Sequence, residues 1–202
     1  LIATRKVGEM KVLYFCTTQK HKEAMRTNNA KMTSKVILTL CALAFTGSNL
    51  FAQERSIEEI HSMMVFNFIK YVQWPDADKS GEFVIGVVGS EEVFKKLNAW
   101  YGGKPAGSKI YVIKKFASAN DVTDCQVVYI DKSKSGEFDA ISAKVKGKAT
   151  MVVTNKNGLG QRGSSINFKT VDDKLKFELN KHAMEASNLK VSGSLTSMAI
   201  VI

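Results

Sequence analysis

Phe83-Val84-Ile85-Gly86-Val87-Val88, followed at once by Gly89-Ser90-Glu91-Glu92, is the stretch on which the fold turns. Six residues without a polar side chain leave no alternation for a sheet with one wet face. The strand is therefore expected to be buried on both faces, as in a parallel sheet. Ser90 is placed to cap a helix, and Glu91 and Glu92 would sit in its first turn, where the helix dipole favours carboxylates. Those same carboxylates would repel an anion, so the turn reads as simple capping.

Downstream, residues 109–113 form a second strand, reached through Gly102-Gly103-Lys104-Pro105. Residues 126–130 form a third strand, 137–144 a short helix and 149–154 a fourth strand. This rhythm argues for right-handed βαβ units. The pattern then changes: residues 164–170 and 174–179 alternate as two strands joined at Val171-Asp172-Asp173, an antiparallel hairpin. Asn180 caps a helix to about Ser187, and 189–202 is a mildly apolar tail. Upstream, Ile57, Ile60, Met64, Phe68 and Tyr71 repeat at helical spacing behind the cap candidate Ser56, and Pro75 stops that helix after Trp74. The fold class is thus α/β: a mostly parallel sheet flanked by helices, with a C-terminal antiparallel hairpin and helix.

The chain carries a formal charge of +10, which raises the question of nucleic acid. Its distribution answers no. Residues 1–52 hold 8 Lys/Arg against 2 Asp/Glu, whereas residues 53–202 hold 21 against 17. The excess belongs mainly to a leader. Lys31 and Lys35 precede a ten-residue apolar run at 36–45, and Ala52 offers a small residue before Gln53. Ten residues span about 15 Å of helix, against a bilayer core of about 30 Å. Residues 32–52 are read as a signal peptide, residues 1–31 as an over-extended gene start with Met32 or Met25 the true beginning, and 53–202 as a single exported domain. Cys125 is then the one cysteine of that domain, a candidate free thiol. One cysteine makes no internal disulfide and no cysteine-based zinc or iron–sulfur site.

Gly158-Leu159-Gly160-Gln161-Arg162-Gly163 fits G-x-G-x-x-G by letter. A dinucleotide site needs a helix N-terminus directly after it, and Ser165-Ile166-Asn167-Phe168 alternates as a strand instead. Two readings stay open: a glycine loop joining strands, or an exposed loop that contacts a partner or small anion through Arg162. His61 and His182 have no carboxylate or second histidine at ligand spacing, so no metal site is expected. No nucleophile elbow is present, and Cys125 has no nearby base in sequence. Trp74 reads either as a lid over the core or as an aromatic at a partner surface.

The residues 66–75 (Phe-Asn-Phe-Ile-Lys-Tyr-Val-Gln-Trp-Pro) and 83–89, then Asp124-Cys125-Gln126-Val127-Val128-Tyr129-Ile130, Gly163-Ser164-Ser165-Ile166-Asn167-Phe168 and Leu175-Lys176-Phe177-Glu178-Leu179-Asn180, resemble the YfiR family in the same order. The resemblance covers essentially all of 55–202. It implies a periplasmic α/β protein, often a homodimer, that binds a membrane-bound diguanylate cyclase and holds it inactive. Cys125 matches one family cysteine but lacks its partner, and loop 155–163 carries none where another pair would lie. Redox switching by an internal disulfide is therefore not expected, and a sensor histidine kinase is an equal candidate partner. The expectation is a non-enzymatic regulator without a cofactor and without nucleic acid. The alternative is a periplasmic small-molecule binding module in which Arg162, Lys190 and the strand-end loops share a pocket. Trp74, Arg162 and Lys190 are the candidate partner- or ligand-binding residues.

Overall fold

The computed structural model describes residues 55–75 and 81–202. The expected signal peptide and gene start lie outside the described residues. The first element is α1 (Ile57–Tyr71), opened by Ser56, whose Oγ accepts from the Glu59 N–H at 3.2 Å. His61, Ser62, Val65, Phe68 and Ile69 fall on its buried stripe, the helical repeat that the apolar spacing required.

Next come β1 (Val72–Gln73), β2 (Glu82–Val88), α2 (Glu91–Tyr101), β3 (Pro105–Ala106), β4 (Lys109–Phe116), β5 (Val127–Ile130), α3 (Phe138–Val145) and β6 (Met151–Thr154). The hairpin β7 (Ile166–Val171) and β8 (Lys174–Leu179) follows, then α4 (Lys181–Ala186), β9 (Lys190–Val191), α5 (Gly193–Met198) and β10 (Ile200–Val201). The main sheet runs β10-β8-β7-β6-β5-β2-β4-β3, while β1 and β9 make a separate antiparallel ribbon. The sheet is mixed. Its pairings are parallel except for β7 with β8 and β3 with β4.

Two crossovers set the layers. The path β2-α2-β4 moves to one side of β2, and β5-α3-β6 moves to the other. Right-handed crossovers in opposite directions must put their helices on opposite faces. Accordingly Val93 and Leu97 of α2 join Val65 and Phe68 of α1 over Ile85, Val127, Tyr129 and Val153. Phe138, Ile141 and Val145 of α3 cover Val84, Val88, Val128 and Val152 on the reverse. The central strands are buried on both faces, as their unbroken apolar sequence demanded.

The hairpin turn uses Asp172 (φ 50°) and Asp173 (φ 57°), the paired left-handed conformation that matches strand twist and that aspartate tolerates. The tail, read from sequence only as mildly apolar, divides into β9, α5 and β10. Each is two to six residues long, too short for a period to be legible. Among the described residues no helix is long and apolar enough to cross a membrane.

Candidate functional site

Two of the three candidate binding residues meet. The end of α1 runs straight into β1, whose Val72 and Gln73 pair with Val191 and Lys190 of β9. Trp74 follows, and its Nε1–H donates to the Ala149 carbonyl at 3.0 Å. The indole stands edge-on to Phe83 at 5.1 Å, so its inner face lids the core. Its outer side shares a cleft of about 220 Å³ with Gln73, Pro75, Asn188 and Lys190. Lys190 is also a wall of a wider cleft of about 490 Å³, where Met184, Leu189 and Val191 give apolar surface and Lys181 and Glu185 give charge. Among the described residues neither lysine makes an ion pair. Trp74 thus lids the core on its inner side and walls a cleft on its outer side.

Arg162 is elsewhere. Ala149 lies just before β6, whereas Arg162 sits in the loop that leaves the opposite end of that strand. Its guanidinium bonds both Asp139 carboxylate oxygens at 2.6 and 2.7 Å and lies over the Phe138 ring at 5.6 Å. Neither cleft that Lys190 lines has Arg162 in its wall. The loop itself leads into β7 and not into a helix, so it has no N-terminus to meet a pyrophosphate. It packs down on the reverse face: Leu159 is 2 % exposed in the α3-side core, and Asn180 Nδ2 donates to the Gly160 carbonyl at 2.9 Å. A Cβ on Gly160 would stand 2.5 Å from Glu178 Oε2 and 2.9 Å from Ile202 Cδ1, so a larger residue there would have to displace the buried Glu178 side chain.

The crossovers reverse direction between β2 and β5, and ligands of open α/β sheets usually enter at such a point, beyond the strand ends. Here the gap is filled. Ser133 Oγ donates to the Gly89 carbonyl at 3.1 Å, and the Lys134 side chain lies where a Gly89 Cβ would point. Beside it, under the start of α1, a smaller cavity of about 150 Å³ touches His61, Asp131, Asn155 and Phe168. His61 stacks on Phe168 at 4.1 Å, and its Nδ1 lies 3.0 Å from Tyr129 Oη. Burial holds the imidazole down at about 4 against the pull of Glu58 and Asp131, and burial likewise pushes the Tyr129 phenol up. Neither group is poised to exchange protons near neutrality. The nearby Ser62 hydroxyl donates to the Glu58 carbonyl at 2.7 Å, which leaves it no base. Sequence reading passed over this cluster, since its members lie on α1, β5 and β7 and share no spacing. His182 is exposed on α4.

Cys125 is 4 % exposed, and burial pushes its thiol up to about 12. It is a free thiol inside the α3-side core. Among the described residues no group of three or more potential metal ligands gathers.

A family model described as YfiR/HmsC-like matches residues 58–200. No curated protein matches the chain.

Proposed function

Since the chain belongs to the YfiR/HmsC-like family, we propose that it is a periplasmic regulator that binds the extracytoplasmic part of a membrane-bound signalling enzyme. A diguanylate cyclase is the favoured partner, a sensor histidine kinase the other candidate, and the protein acts without turnover of a substrate. The observation that carries this reading is the extent of the family match, which spans the fold from the first turn of α1 to β10. Further support comes from what the titratable groups are doing. His61, Tyr129 and Cys125 are buried and held in their neutral forms, which suits packing and not acid–base or nucleophilic catalysis.

The binding face is the double cleft around Trp74 and Lys190. It joins an aromatic wall, apolar floor and unpaired ammonium groups, the mixture found at protein interfaces. Arg162 is a structural clasp in this reading. Affinity capture of the mature protein on membranes of its source organism tests the proposal. A cyclase or kinase should be recovered, and Lys190→Glu should weaken capture at least about tenfold, or about 1.4 kcal/mol. Recovery of neither enzyme by the folded protein sinks the regulator reading. Equal recovery by Lys190→Glu moves the binding face elsewhere. A saturable thermal shift with a nucleotide, amino acid or cell-wall fragment, without any membrane partner, would favour the small-molecule module.

A further inference from the structure

We propose that the joint between the first half of α1 and the end of β5 is an acid-sensitive latch: when His61 takes up a proton, that half of α1 loosens from the sheet while the central strands stay paired. The geometry carries this. His61 is 4 % exposed and is the point where α1 rests on both the Phe168 ring and the Tyr129 hydroxyl. The cavity against it extends to Lys132, which is exposed, so a proton can reach the ring before the fold opens.

The surroundings do not welcome the imidazolium. On α1 itself the nearest carboxylate is Glu58, one turn back. From the end of β5 come Tyr129, Asp131 and then Lys132, and the cation of Lys132 opposes that of the ring. From the end of β6 comes Asn155, and from β7 comes Lys169, which is paired with Glu178 at 2.9 Å. Asp131 is the natural partner for a charged ring, but its oxygens already accept from Ser133 N–H and Asn155 Nδ2, each at 2.9 Å. Desolvation outweighs both carboxylates, which is why the ring sits at about 4 and not at 6.5.

The sign follows from linkage. A histidine held down in the closed state binds its proton better once released, so falling pH favours the open state. Each pH unit between 6.5 and about 4 raises the ratio of open to closed about tenfold, to a limit of about 300-fold. The open state is local because His61 fastens only the first half of α1, the second half is held in the core by Val65, Phe68 and Ile69, and β5 and β6 are interior strands.

Hydrogen–deuterium exchange of the purified protein between about pH 7 and about pH 4.5, corrected for intrinsic rates, reads the latch directly. Amides of Ile60, His61 and Met64, in the first half of α1, should lose protection about tenfold per pH unit below about 6.5, while amides of β5 and β6 keep theirs. His61→Gln should abolish the slope in α1. Three results overturn the proposal: no slope in the native protein, an equal slope in His61→Gln, or opening of β5 and β6 together with α1. Should His61→Gln fail to fold, an NMR titration of the native His61 ring decides: a midpoint near 4 is required, and one near 6.5 overturns the proposal.

Discussion

Cys125 packs among Phe116, Ala119, Val122 and Phe138, and its backbone carbonyl is tied to the Thr150 hydroxyl at 2.7 Å. A thiol that is buried and pushed up to about 12 offers almost no thiolate at neutral pH. In a protein of residues 53–202, Ellman's reagent should therefore leave the native thiol unmodified for hours and titrate Cys125 only after denaturation. Rapid labelling of the native protein would contradict this placement. Its burial has a local cause: Cys125 stands just before β5, whose residues are all buried. The Asp139 partner of Arg162 stands 23 positions away and was not legible from the loop. Charge on a loop says that a group is available, not whether another loop already holds it.

At the scale of elements, the loop between β6 and β7 is fastened by two devices of very different strength. Leu159 is fully within the α3-side core, whereas the Arg162–Asp139 pair is exposed on both sides. Removing a buried leucine loses apolar burial and leaves a cavity, at about 2–4 kcal/mol. An exposed ion pair is worth about 0–1 kcal/mol, because water screens it. Urea denaturation should accordingly show Leu159→Ala destabilised by about 2–4 kcal/mol and Arg162→Ala by less than about 1 kcal/mol. A larger loss from Arg162→Ala would make the ion pair the true fastening. The glycines at 158, 160 and 163 announced a loop at once. Nothing local announced that the loop replaces a helix as cover for the reverse face of β7 and β8. Leu159 stands alone between glycines, so no periodicity marks it as core.

For the whole molecule, acid sensitivity has a second source beneath that loop. Glu178 is 2 % exposed and accepts from Asn167 Nδ2 and Lys169 Nζ, each at 2.9 Å. Burial raises its carboxyl, but these hydrogen bonds and the Lys169 charge outweigh burial and hold it below the ordinary 4.5. A carboxyl depressed on folding stabilises above its unfolded value and loses that contribution as pH falls through the folded one. Global stability should therefore decline below about pH 4.5, a lower window than that of the His61 latch. Glu178→Gln should be less stable at neutral pH and show a flatter decline in acid, measured as urea midpoints against pH. An unchanged acid decline would assign it to other carboxylates.

The amino-acid order by itself determined the longer elements of this protein: the first helix, the central strands and the helices between them, the parallel pairing of those strands, and the hairpin that follows, but not the two-residue strands or the divided tail. Those properties are local, because period, capping residues and turn residues act over a few positions. The tertiary structure decided the rest. It alone brought Trp74 to Lys190 across 116 positions, parted both from Arg162, and set His61 between Phe168 and Tyr129. Such meetings depend on the order of strands in the sheet and the face taken by each crossover. These are set by how all the apolar surfaces close together, so no single stretch of sequence encodes them.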